Sequence, residues 1–150
     1  MTRLVALGIF AALALAAVSI GASPLAQAAD NRVAIHVDEN DPAKMTLALN
    51  NAANVIKYYE SIGETVEVRI VAYGPGLHML REDTSPVRDR IGAMSLELPD
   101  LSFAACGNTH SAMSRNEGRE IGLLSEAEMV ASGVVELIEL QQQGWAYVRP

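Results

Sequence analysis

The sequence lacks the residues that would build a disulfide scaffold or a zinc site. It contains one cysteine, Cys106, and three histidines scattered along 150 residues. A single cysteine cannot form a disulfide within the chain, so in an oxidising compartment its thiol is free, buried, paired between chains or modified. Because the histidines and the cysteine share no zinc-ligand spacing, we expect no metal site.

The features of several common enzyme and binding classes are also missing. No paired carboxylates, serine–histidine arrangement or phosphate loop favours a hydrolase or a kinase, and we expect no cofactor. Lysine and arginine together number 11 against 18 acidic residues, which gives a net charge of −7. An acidic chain without a basic stripe is a poor candidate for binding nucleic acid or an anionic membrane surface.

The first 28 residues have the pattern of a secretory signal peptide. Arg3 provides a short positive region, Leu4 to Ile20 is apolar and uncharged, and Ala26-Gln27-Ala28 has the small-x-small form of a signal-peptidase site. The alternative is a membrane anchor, since about 17–25 apolar residues can span a bilayer, but the small-residue exit favours cleavage. We predict a cleaved signal over residues 1–28 and one periplasmic or secreted domain over residues 29–150, with no membrane attachment after cleavage.

Strand-like and helix-like segments alternate along the predicted domain. Four segments have β-branched alternation or short apolar runs, and they are Arg32 to Val37, Thr65 to Tyr73, Leu101 to Ala105 and Trp145 to Val148. Helical spacing or helix-starting residues mark the segments that begin at Asp41-Pro42, Leu77, Ser85-Pro86, Gly107 and Ser132-Gly133. Short links and long crossover helices favour parallel strands, so the predicted class is α/β.

Two stretches between these segments have mixed signals. Arg81 to Thr84 is predicted to be a solvated linker. Ser125 to Glu128 matches a helix capping box, whereas Ala127 to Ala131 has the pattern of a short fourth strand. We favour a short helix followed by a strand.

The segment Tyr73-Gly74-Pro75-Gly76 follows the second predicted strand directly. Its two glycines allow positive φ or close backbone approach, so the loop could present backbone N–H groups to an anion or a small ligand. The alternative is a tight strand-to-helix turn, which the glycine–proline composition also favours. The spacing of these glycines is not that of a nucleotide-binding motif.

Cys106 lies where the third predicted strand ends, a position at which ligands and reactive groups gather in open α/β sheets. At the N-terminus of the following helix, unpaired N–H groups and the helix dipole can lower a thiol pKa. The alternative is an inert core residue, because free cysteine is among the most buried residue types. His110, one helical turn further on, faces either Cys106 or solvent.

The chain resembles the DsrE/DsrF-like proteins over essentially the whole predicted domain. The resemblance rests on the segment order, on Tyr73-Gly-Pro-Gly76, on Phe103-x-x-Cys106-Gly-Asn-Thr109 and on Ser132 to Leu140 followed by Gly144-Trp-Ala-Tyr147. It implies a three-layer α/β/α fold around a five-stranded parallel sheet, and assembly as a trimer or a hexamer. In the sulfur-relay members of this family a cysteine after the third strand carries persulfide sulfur, and Cys106 occupies the matching position.

These observations support two hypotheses of different classes. The first is an exported sulfur-handling protein that takes sulfur from a donor protein onto Cys106 and yields it to an acceptor. The predicted binding residues around this thiol are Gly107, Asn108, Thr109, His110, Tyr73, Gly74 and Gly76. The second is a non-catalytic oligomeric module that binds a small ligand or a protein while Cys106 is buried. A redox sensor with an inter-subunit disulfide is a third option.

Overall fold

The computed structural model describes residues 31–150, so the predicted signal peptide lies outside the described residues. Its five strands are β1 (Asn31–Val37), β2 (Val66–Ala72), β3 (Leu101–Cys106), β4 (Ala127–Val130) and β5 (Ala146–Val148). They form one sheet in the order β4-β3-β2-β1-β5, and every neighbouring pair is parallel. The carboxyl ends of all five strands therefore meet at one edge of the sheet.

Helices cover both faces of this sheet. They are α1 (Pro42–Ser61), a 3-10 helix (Gly74–Leu80), α2 (Arg88–Glu97), α3 (Gly107–Glu117) and α4 (Gly133–Gln142). The first four pack on one face, in a core that contains Ile35, Ile70 and Phe103. Helix α4 packs on the other face, against Val71 and Ala104. The predicted three-layer α/β/α fold with a five-stranded parallel sheet is confirmed.

Helix α1 shows how local sequence produces one of these elements. The side chain of Asp41 accepts a hydrogen bond of 2.8 Å from the backbone N–H of Ala43 and caps the helix, and Pro42 occupies its first position. The apolar stripe predicted from the spacing is buried at Met45, Leu49, Ala52 and Ile56. Burial of this stripe against the sheet places the β1–α1 loop at the carboxyl edge.

Two predicted helix starts are wrong. Residues 125 and 126 form a turn that leads into β4, so the Ser125 capping-box pattern does not start a helix. Helix α2 begins at Arg88 rather than at Pro86. The Ser85 hydroxyl donates a hydrogen bond of 2.5 Å to the carbonyl of Met79, which holds this segment against the preceding 3-10 helix.

The predicted solvated linker at Arg81 to Thr84 is also wrong at its first residue. Arg81 is only 2% exposed. Its guanidinium donates to both carboxylate oxygens of Asp83, each at 2.9 Å, and to both of Glu117, at 2.5 and 3.1 Å. These paired contacts link the loop after the 3-10 helix to the end of α3. The sequence does not show this contact, because Arg81 lies among other charged residues.

Within residues 31–150, no helix is both long enough and apolar enough to cross a membrane.

Candidate functional site

Cys106 is the last residue of β3 and the N-cap of α3. Its sulfur accepts a hydrogen bond of 3.5 Å from the backbone N–H of Thr109, in the position that a serine or aspartate oxygen takes in an ordinary helix cap. The residue is 4% exposed, because its strand is apolar and lies inside the sheet between β4 and β2. The thiol thus lies at the carboxyl edge of the sheet, at the positive end of a helix dipole.

Helix α4 also begins next to the Cys106 sulfur. Gly133 is the first residue of α4, and its backbone N–H favours the thiolate form of Cys106. A Cβ atom on Gly133 would lie 2.9 Å from Cβ of Tyr73 and 3.2 Å from Cβ of Cys106. Glycine therefore allows α4 to approach β3 closely, and the N-termini of α3 and α4 converge on one sulfur atom.

The hydroxyl of Thr109 connects the thiol to the loop after β2. Its oxygen accepts a hydrogen bond of 2.9 Å from the backbone N–H of Gly74. Since that bond uses a lone pair, the hydroxyl proton remains available for the Cys106 thiolate, which the Thr109 side chain favours. We call the groups that favour a negative charge on the sulfur, from Asn108, Thr109 and Gly133, the thiolate cradle.

The balance of these contacts lowers the pKa of Cys106. Burial raises the pKa of this thiol and is the largest single effect. The backbone N–H of Gly133, the hydroxyl and N–H of Thr109, and the N–H of Asn108 all favour the thiolate, and together they outweigh burial. The result is a thiol with a pKa below its ordinary value, as reactive cysteines require.

Comparisons with known proteins identify a family and a similar solved structure. A scan against protein families matches residues 31–150 to the DsrE/DsrF-like family. The chain belongs to the DsrE/DsrF-like family. It is also similar to the solved structure of MTH1491, a protein of unknown function from Methanobacterium thermoautotrophicum. That similarity has a TM-score of 0.67 and 32% identity, and it covers 81% of this chain and 100% of the other. No curated protein matches the chain.

In this DsrE/DsrF-like protein the loop Tyr73 to Gly76 lies beside the thiol. The ring of Tyr73 contacts the start of α4. The N–H of Gly74 is bonded to Thr109, and Gly76 packs against the carbonyl of Val37 at the end of β1. The two glycines therefore position the site, and the loop is the start of a 3-10 helix.

His110 is not oriented as either sequence alternative expects. It is 9% exposed, and its Nε2 lies 2.8 Å from the carbonyl oxygen of Ile121. A carbonyl can only accept, so Nε2 donates this bond and carries the proton. The groups with the largest effects on the Cys106 thiol do not include His110. This histidine instead links α3 to the loop that follows it, through the hydrogen bond to Ile121.

Sequence reasoning missed Gly133 and a histidine on the α4 side of the sheet. His36 is buried, stacks on Tyr73 with ring centroids 4.5 Å apart, and has Nδ1 2.7 Å from the hydroxyl of Tyr147. Burial lowers the pKa of the His36 imidazole, and Arg149 adds to that effect while Asp38 opposes it. These residues come from three distant segments, and the only sequence signal was the position of His36 near a strand end.

Among residues 31–150, no three histidine, cysteine, aspartate or glutamate side chains are grouped so that they could hold a metal ion.

Replacing Thr109 by valine is expected to raise the pKa of Cys106, because the hydroxyl donor is lost while the shape is kept. The pH profile of iodoacetamide alkylation measures this, and its midpoint should move to higher pH. Thr109→Ser keeps the hydroxyl and is the matched control. An unchanged midpoint in the valine variant would show that the hydroxyl does not stabilise the thiolate.

Proposed function

We propose that this DsrE/DsrF-like protein is a sulfur carrier that holds sulfane sulfur on Cys106. In the first step the Cys106 thiolate attacks the outer sulfur of a donor persulfide, R–S–SH. A new S–S bond forms, the donor S–S bond breaks, and R–S⁻ leaves and takes a proton from solvent. In the second step an acceptor thiolate attacks the outer sulfur of Cys106–S–SH, and the Cys106 thiolate leaves. No external oxidant or reductant is needed.

The observation that supports this proposal most strongly is the convergence of two helix N-termini on the only thiol. Backbone N–H groups at the starts of α3 and α4 favour a negatively charged sulfur. The same donors favour the thiolate as nucleophile in the first step and as leaving group in the second. An inert packed cysteine has no requirement for such donors.

The test is intact mass of the folded protein after brief exposure to a polysulfide donor. We expect a gain of one or more sulfur atoms, reversed by reductant, in the wild type and none in Cys106→Ser. A wild-type protein that gains no sulfur, with a thiol that labels only after unfolding, would contradict the proposal. Mass measurement on exported protein also tests the proposed cleavage after Ala28.

The second candidate function is a non-catalytic binding module with an inert Cys106. The 4% exposure of Cys106 is the observation in its favour, since buried cysteines are commonly structural. The two candidates differ in thiol chemistry: a sulfur carrier reacts with alkylating agents while folded, whereas a packed cysteine does not.

We further propose that the protein forms a homo-oligomer, either a trimer or a hexamer, through the outer face of α4. Val134, Val135 and Ile138 lie together on this helix and are 46–50% exposed. Strand β5 beside them is an edge strand, on which Tyr147 and Val148 are also exposed. Exposed apolar residues next to an unpaired strand edge favour association.

Replacing Ile138 by glutamate is expected to dissociate such an oligomer, because a carboxylate would be buried in the contact. Light scattering after size exclusion measures the mass of each variant. Glu139→Gln, at the next position of the same helix, is a control that should keep the wild-type mass. A monomeric wild type would overturn this assembly.

A further inference from the structure

A charged side chain lies between the sheet and α4. Arg69 is on the middle strand, β2, and its side chain is 14% exposed. The fully buried residues on this side of the sheet are apolar, and they are Ala34, Val71, Ala104, Leu137 and Leu140. A guanidinium that is shielded from water needs anionic partners, because its lost hydration is costly. The role of Arg69 therefore depends on which anions pair with it.

Arg69 connects the middle strand to two other elements at once. Its Nε donates a hydrogen bond of 2.6 Å to Oε1 of Glu136, in the first turn of α4. Its Nη2 donates a hydrogen bond of 2.9 Å to Oε2 of Glu128, on β4. Glu136 is 18% exposed and Glu128 is 67% exposed, so the ion pair with Glu136 is the one better shielded from water.

The segment between these two glutamates passes directly beside the thiol. Val130 is paired with Cys106 in the register of β4 on β3. Three residues later, a Cβ atom on Gly133 would lie 3.2 Å from Cβ of Cys106. The β4–α4 connection therefore runs along one side of Cys106, and Arg69 pairs with a residue on each side of it.

Apolar packing holds this segment only weakly. Strand β4 lies at the sheet edge and has no fully buried residue. Val134 and Val135, which follow Gly133, are exposed, and the first buried apolar side chain of α4 is Leu137. The ion pairs of Arg69 therefore supply a fixed position that the core does not supply.

Arg69 lies too far from the sulfur to act on it directly. It is in register with Ser102, which precedes Cys106 by four residues on the neighbouring strand. A parallel strand rises about 3.3 Å per residue, so the two positions are about 13 Å apart along the sheet. Any effect of Arg69 on the thiol is consequently transmitted through α4 and the β4–α4 connection.

We propose that Arg69 is a positioning residue that holds the N-terminus of α4 against Cys106 through its ion pairs with Glu136 and Glu128. The inference rests on the proposed function, in which this helix N-terminus stabilises the sulfur as nucleophile and as leaving group. Arg69 itself takes no part in sulfur transfer. When its ion pairs are lost, the N–H of Gly133 moves away from the sulfur, and one of the groups that favour the thiolate is lost with it.

The experiment compares the pH profile of iodoacetamide alkylation of Cys106 in the folded wild type, Arg69→Met and Glu136→Met. Glu139→Met is the matched control, because it removes the same charge from an exposed position of the same helix. The NMR signal of the Gly133 backbone amide is followed over the same pH range. Circular dichroism shows that each variant is folded.

We expect the alkylation midpoint to move to higher pH in both Arg69→Met and Glu136→Met, and to stay unchanged in the control. The shift of the Gly133 amide on ionisation of the thiol should be smaller in both variants than in the wild type. The sign for Glu136→Met separates positioning from a direct effect of charge. Loss of a negative charge that acted only through its field would favour the thiolate and lower the midpoint.

An unchanged or lowered midpoint in Glu136→Met would overturn the inference, whatever the result for Arg69→Met. This variant decides the question even if Arg69→Met does not fold, because it leaves Arg69 paired with Glu128. Alkylation needs no persulfide, so the experiment separates this inference from the proposed function. Failure of Cys106 to take up sulfur would contradict only the latter.

Discussion

Replacing Gly76 by alanine is expected to destabilise the protein by about 3 kcal/mol or more, the upper range for overpacking a filled site. A Cβ atom at this position would lie 2.2 Å from the carbonyl oxygen of Val37 and 2.8 Å from Cα of Asp38. Both are backbone atoms, so no side chain can rotate away. Either β1 or the 3-10 helix has to move, and the thiolate cradle moves with it.

Urea unfolding measures this loss of stability. Gly92→Ala is the matched control, because its Cβ would meet only a glutamate side-chain oxygen at 3.4 Å, inside helix α2. Alanine in a helix interior is favoured over glycine by about 0.5–1 kcal/mol, so this control should be neutral or stabilising. A Gly76→Ala protein as stable as the wild type would show that the contact between the 3-10 helix and β1 is looser than described.

Replacing Arg81 by methionine is expected to cost about 2–3 kcal/mol of unfolding free energy. The guanidinium is 2% exposed and bonds both oxygens of Asp83 and of Glu117. Because those carboxylates are about a third exposed, water takes over part of their hydrogen bonding, which keeps the loss below that of a fully buried pair. Arg88→Met, at an exposed arginine, is the control and should change stability by less than about 0.5 kcal/mol.

The Arg81 network also has a pH signature. Hydrogen bonds from Arg81 and then Arg119 hold the pKa of Asp83 well below its ordinary value, and Arg81 lowers that of Glu117. A carboxyl with a lowered pKa in the folded state stabilises the protein above its unfolded pKa, near 4, and loses that contribution as the pH falls. The wild type should therefore lose more stability than Arg81→Met on acidification below about pH 4. Equal acid sensitivity would contradict this role.

Elements that depend on neighbouring residues could be predicted from the sequence. The Asp41-Pro42 start of α1, the strand that ends at Cys106 and the Gly107 start of α3 all rest on local periodicity and capping. Strand β4 was ambiguous because it is short, lies at the sheet edge and has no fully buried residue. Local propensity cannot distinguish such a segment from the start of a helix.

The parts of the site that were missed depend on contacts between distant segments. The sequence indicates one helix N-terminus at the thiol, that of α3. The N-terminus of α4, with Gly133, reaches the thiol from the other face of the sheet, and no local pattern shows this. Arg81 stands in a run of charged residues, which is typical of an exposed segment. Its burial depends on the contact with Glu117, which is distant in sequence. Helical spacing places His110 either near the thiol or in solvent. It does not show that the loop after α3 brings the Ile121 carbonyl back to this side chain.

The most direct test of the sulfur-carrier account is a single turnover with a donor persulfide whose outer sulfur is a heavy isotope. The labelled atom should first appear in a Cys106 persulfide and then on an added acceptor thiol, while Cys106 returns to a free thiol. The same sequence should be absent in Cys106→Ser. Label that reaches the acceptor equally fast in Cys106→Ser, or that never leaves Cys106 in the wild type, would contradict the account.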